Sequence, residues 1–185
     1  MQATDILMEE HRVIERVLTA LETAAQRLDD GQAIRPGFFL DAASFIKGFA
    51  DGCHHQKEEG VLFKAMVAAG MPREGGPINV MLSEHELGRA YTRAMREAAL
   101  KLDAGDQTAR TAVVYDARAY AELLRQHIAK ENGILYPLAS RVIPAEVQEH
   151  LVADFEHIEL EDAGAGVHEK YLALADQMAK EVGLA

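Results

Sequence analysis

The sequence predicts an all-α protein: an up-down-up-down four-helix bundle followed by a C-terminal helical extension. Three observations predict it. Apolar residues recur at spacings of three and four along nearly the whole chain, the period of a helix with one buried face. No segment alternates apolar and polar residues with period two over a useful length, so sheet is not expected. Residues 1–70 and 76–142 also repeat one another's polar signature. Each two-helix half would leave its apolar stripe open, so the halves are expected to interlock as one unit over residues 1–142.

The elements follow in order. Leu7, His11, Ile14, Leu18, Leu21 and Leu28 lie on one face of a first helix, which Asp30-Gly31 ends. Pro36 fits near the start of a second, whose inward stripe is Phe39, Ala43, Ile46, Ala50, Cys53, His54, Glu58 and Leu62. The Gly- and Pro-rich stretch 70–77 is a connection. The third helix carries Met81, His85, Gly88, Thr92, Met95, Ala99 and Leu102. A turn at 103–106 follows, with Asp106 as an N-cap. The fourth helix runs through Val113, Tyr120, Leu124, His127, Glu131, Leu135 and Leu138, and Pro144 closes or kinks it. In residues 143–185 a further helix, a break at Ala163-Gly164-Ala165-Gly166 and a last helix to about Val182 are expected. This extension should pack on the outside of the bundle or form a homo-oligomer contact.

Composition narrows the function. A chain of 185 residues suits one domain with a substantial core. The formal charge of −11 argues against nucleic acid or an anionic membrane as a partner. The longest apolar runs fall short of a membrane span, and the acidic N-terminal helix resembles neither a signal nor a transit peptide. A single cysteine, Cys53, rules out an internal disulfide framework and fits a reducing cytoplasm. No Ser-His-Asp arrangement, phosphate-binding loop or nucleotide fingerprint is present, so hydrolytic and nucleotide-dependent chemistry is not supported.

The repeated signature carries the chemistry. His54-His55-Gln56-Lys57-Glu58-Glu59-Gly60-Val61-Leu62-Phe63 matches His127-Ile128-Ala129-Lys130-Glu131-Asn132-Gly133-Ile134-Leu135-Tyr136 at His, Lys, Glu, Gly and Leu. Upstream, Glu10-His11 matches Glu84-His85. The offset is 74 residues between His11 and His85, and 73 between His54 and His127. Each half therefore offers one lone His and one His-x-x-x-Glu pair, and such a pair shares one helix face. All six residues lie in the apolar stripes. Buried unpaired charges cost several kcal/mol each, on the order that a core does not tolerate six times over. Cations or extensive mutual hydrogen bonding must compensate them. Four imidazoles and two carboxylates suffice for two metal ions, of which iron, manganese, zinc and copper suit this donor mixture.

Over residues 1–142 these motifs resemble the hemerythrin-like, HHE cation-binding family. The resemblance implies a four-helix bundle with a non-haem di-iron centre that meets O2 or a related small molecule. It implies His11, His54, His85 and His127 as terminal ligands, with Glu58 and Glu131 as bridging carboxylates. It puts iron ahead of zinc or manganese. Oxygen-carrying members have a further His four residues after the third-helix His. Here that position is Arg89, which cannot ligate, while the first helix offers Glu15 four residues after His11. A site poorer in His and richer in carboxylate is therefore expected, with redox chemistry or iron sensing alongside O2 binding. The readings carried forward are a di-iron protein binding O2 or reacting with O2, peroxide or nitric oxide, and an iron or oxygen sensor or store without turnover. A redox-inert zinc site is the third.

Several neighbours are ambiguous. By spacing, either 54/58 or 55/59 forms the ligating pair; the repeat favours 54/58, because positions 128 and 132 are Ile and Asn. Gly60 and Gly133 each cost about 1 kcal/mol in a helix, so they give room for close approach or reflect packing and chance. Tyr136, Phe63 and Cys53 read as core, and His150, His157 and His168 as surface residues outside the repeat.

Overall fold

The computed structural model describes residues 2–162, 164 and 166–184. Among them there is no strand, and six helices account for the architecture. Helix α1 is Ala3–Asp29, opened by the Asp5 carboxylate accepting from the Gln2 backbone N–H at 2.8 Å. Helix α2 spans 38–68. It begins after Gly37, whose φ of 86° belongs to the left-handed region, so Pro36 lies just outside it. The Gly37 N–H donates to Asp103 Oδ2 at 2.7 Å, tying the start of α2 to the end of α3, Pro77–Asp103. Pro77 sits where a missing N–H costs nothing. Asp106 caps a short 3₁₀ turn by accepting from the Thr108 N–H at 3.0 Å, and α4 follows over 110–142. At Ile143 the backbone turns extended ahead of Pro144. Helix α5 spans 145–162 and α6 is Val167–Glu181. The expected break holds Gly164 and Gly166, both at positive φ; Ala163 and Ala165 lie outside the described residues.

Three of these helices are not α-helical throughout, and α5 ends in a π stretch over Ile158–Asp162. In α2 the stretches Ile46–His55 and Glu58–Leu62 are wound as π-helix, and in α4 so is Glu131–Leu135. A π turn carries one more residue than an α turn, and such turns gather at functional sites. The sequence repeat is thus a repeat of backbone: Glu58 and Glu131 each open a five-residue π turn. Helical periodicity alone gave no sign of it.

The core has two apolar bodies with a polar layer between them. One holds Leu18, Leu21, Phe45, Phe49, Met95, Val113 and Leu124. The other holds Leu7, Leu62, Phe63, Met66, Met81, Leu135 and Tyr136. His11 falls between Leu7 and Ile14, His85 between Met81 and Met95, and His127 between Leu124 and Leu135. Each helix of the bundle therefore crosses the layer at its histidine.

The extension packs on its own bundle. Leu151 and Phe155 of α5 join the second apolar body, and Ala175, Met178 and Val182 of α6 join the first. Arg27 Nη2 donates to the Val182 carbonyl at 2.8 Å, satisfying a terminal carbonyl of α6. Gly48 admits the Tyr171 ring: a Cβ there would stand 2.0 Å from ring atoms. Gly48→Ala should therefore unseat α6 and destabilise the protein by about 1–3 kcal/mol. Gly133→Ala, whose added carbon meets nothing within 4 Å, should be neutral or mildly stabilising. Urea melts of both variants, with hydrogen exchange along α6, check the pair.

Candidate metal centre

The four helices bring seven side chains into the polar layer. Ligating atoms of His55, Glu58, His85 and His127 lie within 4.8 Å of one another, and so do those of His11, His54, Glu58 and Glu131. Glu58 belongs to both groups. Glu131 spans them as well: Oε1 lies 3.0 Å from His127 Nε2 and Oε2 lies 3.1 Å from His11 Nε2. His85 Nε2 is 3.0 Å from His127 Nε2 and 3.4 Å from Glu58 Oε2. None of the seven residues is more than 3% exposed.

Every ring is oriented from behind by an oxygen acceptor at Nδ1. His54 meets Glu10 at 2.9 Å and His127 meets Glu84 at 2.8 Å. His11 meets Asn132 Oδ1 at 2.9 Å and His85 meets Glu59 at 2.7 Å. His55 meets Asp51 at 2.9 Å. A carboxylate or amide oxygen can only accept, so each Nδ1 carries the proton and each Nε2 lone pair faces the layer. The first four contacts form two matched pairs. Each Glu preceding a lone His holds the other helix's His, and each residue following a bridging-type Glu holds the lone His of the opposite half. Lys57 and Lys130 complete the pattern by donating to Glu10 and Glu84.

The halves differ in their cover. Lys57 is fully buried, because Glu159 of the extension accepts from it as well and the Phe155 ring lies 5.8 Å from its Nζ. Burial opposes its charge, but the two carboxylates hold its pKa above the usual value. Its counterpart Lys130 has a side chain 36% exposed. Glu10, Glu159 and His168 also converge within ligand distance of one another, but the Lys57 ammonium already supplies the cation there.

The inner atoms lack what the outer ones have. His54 Nε2, Glu58 Oε2 and both Glu131 oxygens are buried without a hydrogen-bond partner. Lone pairs face lone pairs across 3.0–3.7 Å, which is tolerable only with positive charge between them. The directions of the pKa shifts carry the same demand. Burial lowers His85, yet Glu58 and Glu59 outweigh it and push its pKa up to about 9. His11 and His127 rise too, against burial, through Glu131. Glu131 falls well below the carboxylate range despite burial, because His11 and His127 flank it. His55 alone is driven well down, by burial and by the neighbouring rings, and stays a neutral donor. Neutral imidazoles and ionised carboxylates around a shared centre are the donor set that divalent transition metals take.

All six residues expected from the sequence meet in this layer, and His55 joins them. The register choice between 54/58 and 55/59 proves too narrow: the π winding turns both His54 and His55 inward, while Glu59 serves behind His85. The adjacent His-His doublet was the available signal. The expected carboxylate-rich site is not found. Glu15 belongs to neither group and acts instead on Arg125, and His55 brings the imidazoles to five. Arg89, in place of a ligand, holds Glu59 at 2.7 Å. Tyr136 is more than core, donating its hydroxyl to Glu58 Oε1 at 2.7 Å. His168 is half-buried against Phe49 rather than on the surface. Burial pushes the Cys53 thiol up to about 11, so it is an inert core residue. Nothing in the packing requires glycine at Gly60 or Gly133.

A pH dependence follows for the metal-free protein. Raised histidine pKa values contribute stability that is full below the unfolded value near 6.5 and is lost as pH climbs through the folded value, about 9 for His85. His55 works the other way, its depressed value favouring higher pH, but it stands against three raised rings. The urea midpoint in chelator should therefore fall between pH 6.5 and 9. Metal-loaded protein should show a much smaller fall, because the ions replace those protons.

Residues 2–139 match the hemerythrin HHE cation binding domain. Uncharacterized proteins of Mycobacterium bovis and Mycobacterium tuberculosis are 27% identical over 183 residues, which is 98% of this chain and 71% of theirs. No solved structure gives a significant match. With a family match over most of its length and a buried His/Glu box in the matched bundle, the chain belongs to the hemerythrin HHE cation-binding family.

Proposed function

We propose that this chain is a non-haem di-iron protein that binds O2 or reacts with O2, peroxide or nitric oxide. The observation that carries the reading is the set of inward-facing orphan atoms on His54, Glu58 and Glu131, with five Nδ1-anchored rings around them. His55, His85 and His127 would hold one ion, His11 and His54 the other, and Glu58 and Glu131 would span both. Two irons there would supply one-electron couples and an open coordination position.

The chain's own residues shape what can happen at that position. The His11–His54 side offers two imidazoles against three on the other, which would leave that ion the more open one. The Tyr136 hydroxyl lies there, 3.3 Å from His11 Nε2, and its ring stacks on His11. Burial and the charges of Glu58 and Glu131 raise its pKa well above the usual phenol value, so it keeps its proton beside the open position. The near-complete burial of the layer restricts reactants to diatomic size or little more.

A second reading, an iron or oxygen sensor, is favoured by one contact chain. His54 is held by Glu10, Glu10 by Lys57, and Lys57 by Glu159 on the extension. Metal loading that changes hydrogen exchange in α5 and α6 without sustained peroxide turnover would favour the sensor.

Metal analysis with a visible spectrum tests the main reading. About two irons per chain with oxo-bridge or carboxylate-to-iron bands are expected; zinc alone with a featureless spectrum would overturn it. Glu58→Ala, Glu131→Ala and His55→Ala should each lose at least one ion. Glu59→Ala should keep both while weakening affinity by about 10–100-fold, the usual effect of removing an outer partner.

A further inference from the structure

Between α2 and α3 a groove opens beside the metal centre, with a cavity of about 650 Å³. Lys47 and Asp51 line it from α2, and Arg89, Arg93 and Arg96 from α3. Lys47, Arg93 and Arg96 pair with no carboxylate among the described residues. That is unusual for a chain with 30 acidic and 19 basic residues. Like charges three and four residues apart on one helix repel, and Lys47 adds a fourth cation from the facing helix. Glu59, Glu86 and Asp51 offset the charge of Arg89, while Lys47, Arg93 and Arg96 have no such partner among the described residues.

We propose that this groove binds a small molecule carrying two or more phosphate groups. The cations of α3 are spread along about 10 Å of helix axis, longer than one phosphate and suited to linked ones. The cavity has the size of a small-ligand site. The acidic surface elsewhere excludes a long nucleic acid, so the occupant is compact. Asp51, the carboxylate of the lining, is turned inward: its Oδ1 meets His55 at 2.9 Å and Arg89 at 3.4 Å. The Thr92 hydroxyl donates to the Gly88 carbonyl and leaves recognition to the cations. The inner wall of the groove is therefore the outer shell of the metal centre. Arg89 reaches the groove while holding Glu59, the partner of His85.

Calorimetric titration of metal-loaded protein with inorganic pyrophosphate tests the site. We expect saturable binding of one molecule per chain, at least tenfold tighter than orthophosphate. Arg93→Glu combined with Arg96→Glu should weaken it at least tenfold, and Lys47→Glu alone should weaken it measurably. Arg118→Glu, which alters a cation paired with Asp29 on another face, should leave it unchanged. Pyrophosphate can also extract iron, but that reaction would be the same in every variant and would lower the metal content measured afterwards. Absence of saturable binding, equal affinity in the double variant, or equal weakening by Arg118→Glu would overturn the proposal. The binding does not depend on which metal the centre holds, so it stands or fails separately from the di-iron reading.

Discussion

Five imidazole nitrogens and two carboxylates face one another across the middle of this bundle, and the rest of the structure is arranged around their mutual repulsion. Without positive charge at the centre the layer is unfavourable; with it, the same groups tie together four helices. The surrounding architecture keeps the donors in place. Each ring is fixed from behind, the fixing carboxylates are held by Lys57, Lys130 or Arg89, and two apolar bodies exclude water above and below. Outer partners of this kind settle both the tautomer and the direction of each ring.

The two halves of the repeat share a plan and differ in three ways. His55 faces the layer where the second half has Ile128, Glu59 stands where the second half has Asn132, and Lys57 is sealed by the extension where Lys130 meets water. All three place more nitrogen donors, more charge or more protein around the first half's motif. An internally symmetric site would treat two ions alike, whereas this one would give them unequal surroundings. Under the proposed di-iron reading, inequality of that kind would let one ion serve as anchor while the other meets a reactant.

Much of this was legible in the sequence. Histidines in apolar stripes at matched offsets placed the bundle and six of the seven central residues, because helix periodicity and the cost of burying charge are local properties. What escaped notice depended on backbone winding and on cover from distant residues. The π turns at Ile46–His55 and Glu58–Leu62 have no signature in apolar spacing, so His55 was set against His54 rather than beside it. The roles of Glu10, Glu84, Lys57 and Lys130 were hidden because each acts on a partner from another helix. Glu159, about a hundred residues from Lys57 in sequence, could be linked to it only in three dimensions.

The position of the polar layer has a kinetic consequence. With apolar bodies on both sides and no central residue more than 3% exposed, an ion cannot leave or enter by simple diffusion. Some part of the bundle must part first, and the rate of exchange is bounded by the free energy of that opening. Ions captured while the chain folds would then outlast changes in their supply. The protein would carry a record of the metal present at its synthesis, and its population in a cell would be a mixture of ages as much as of affinities.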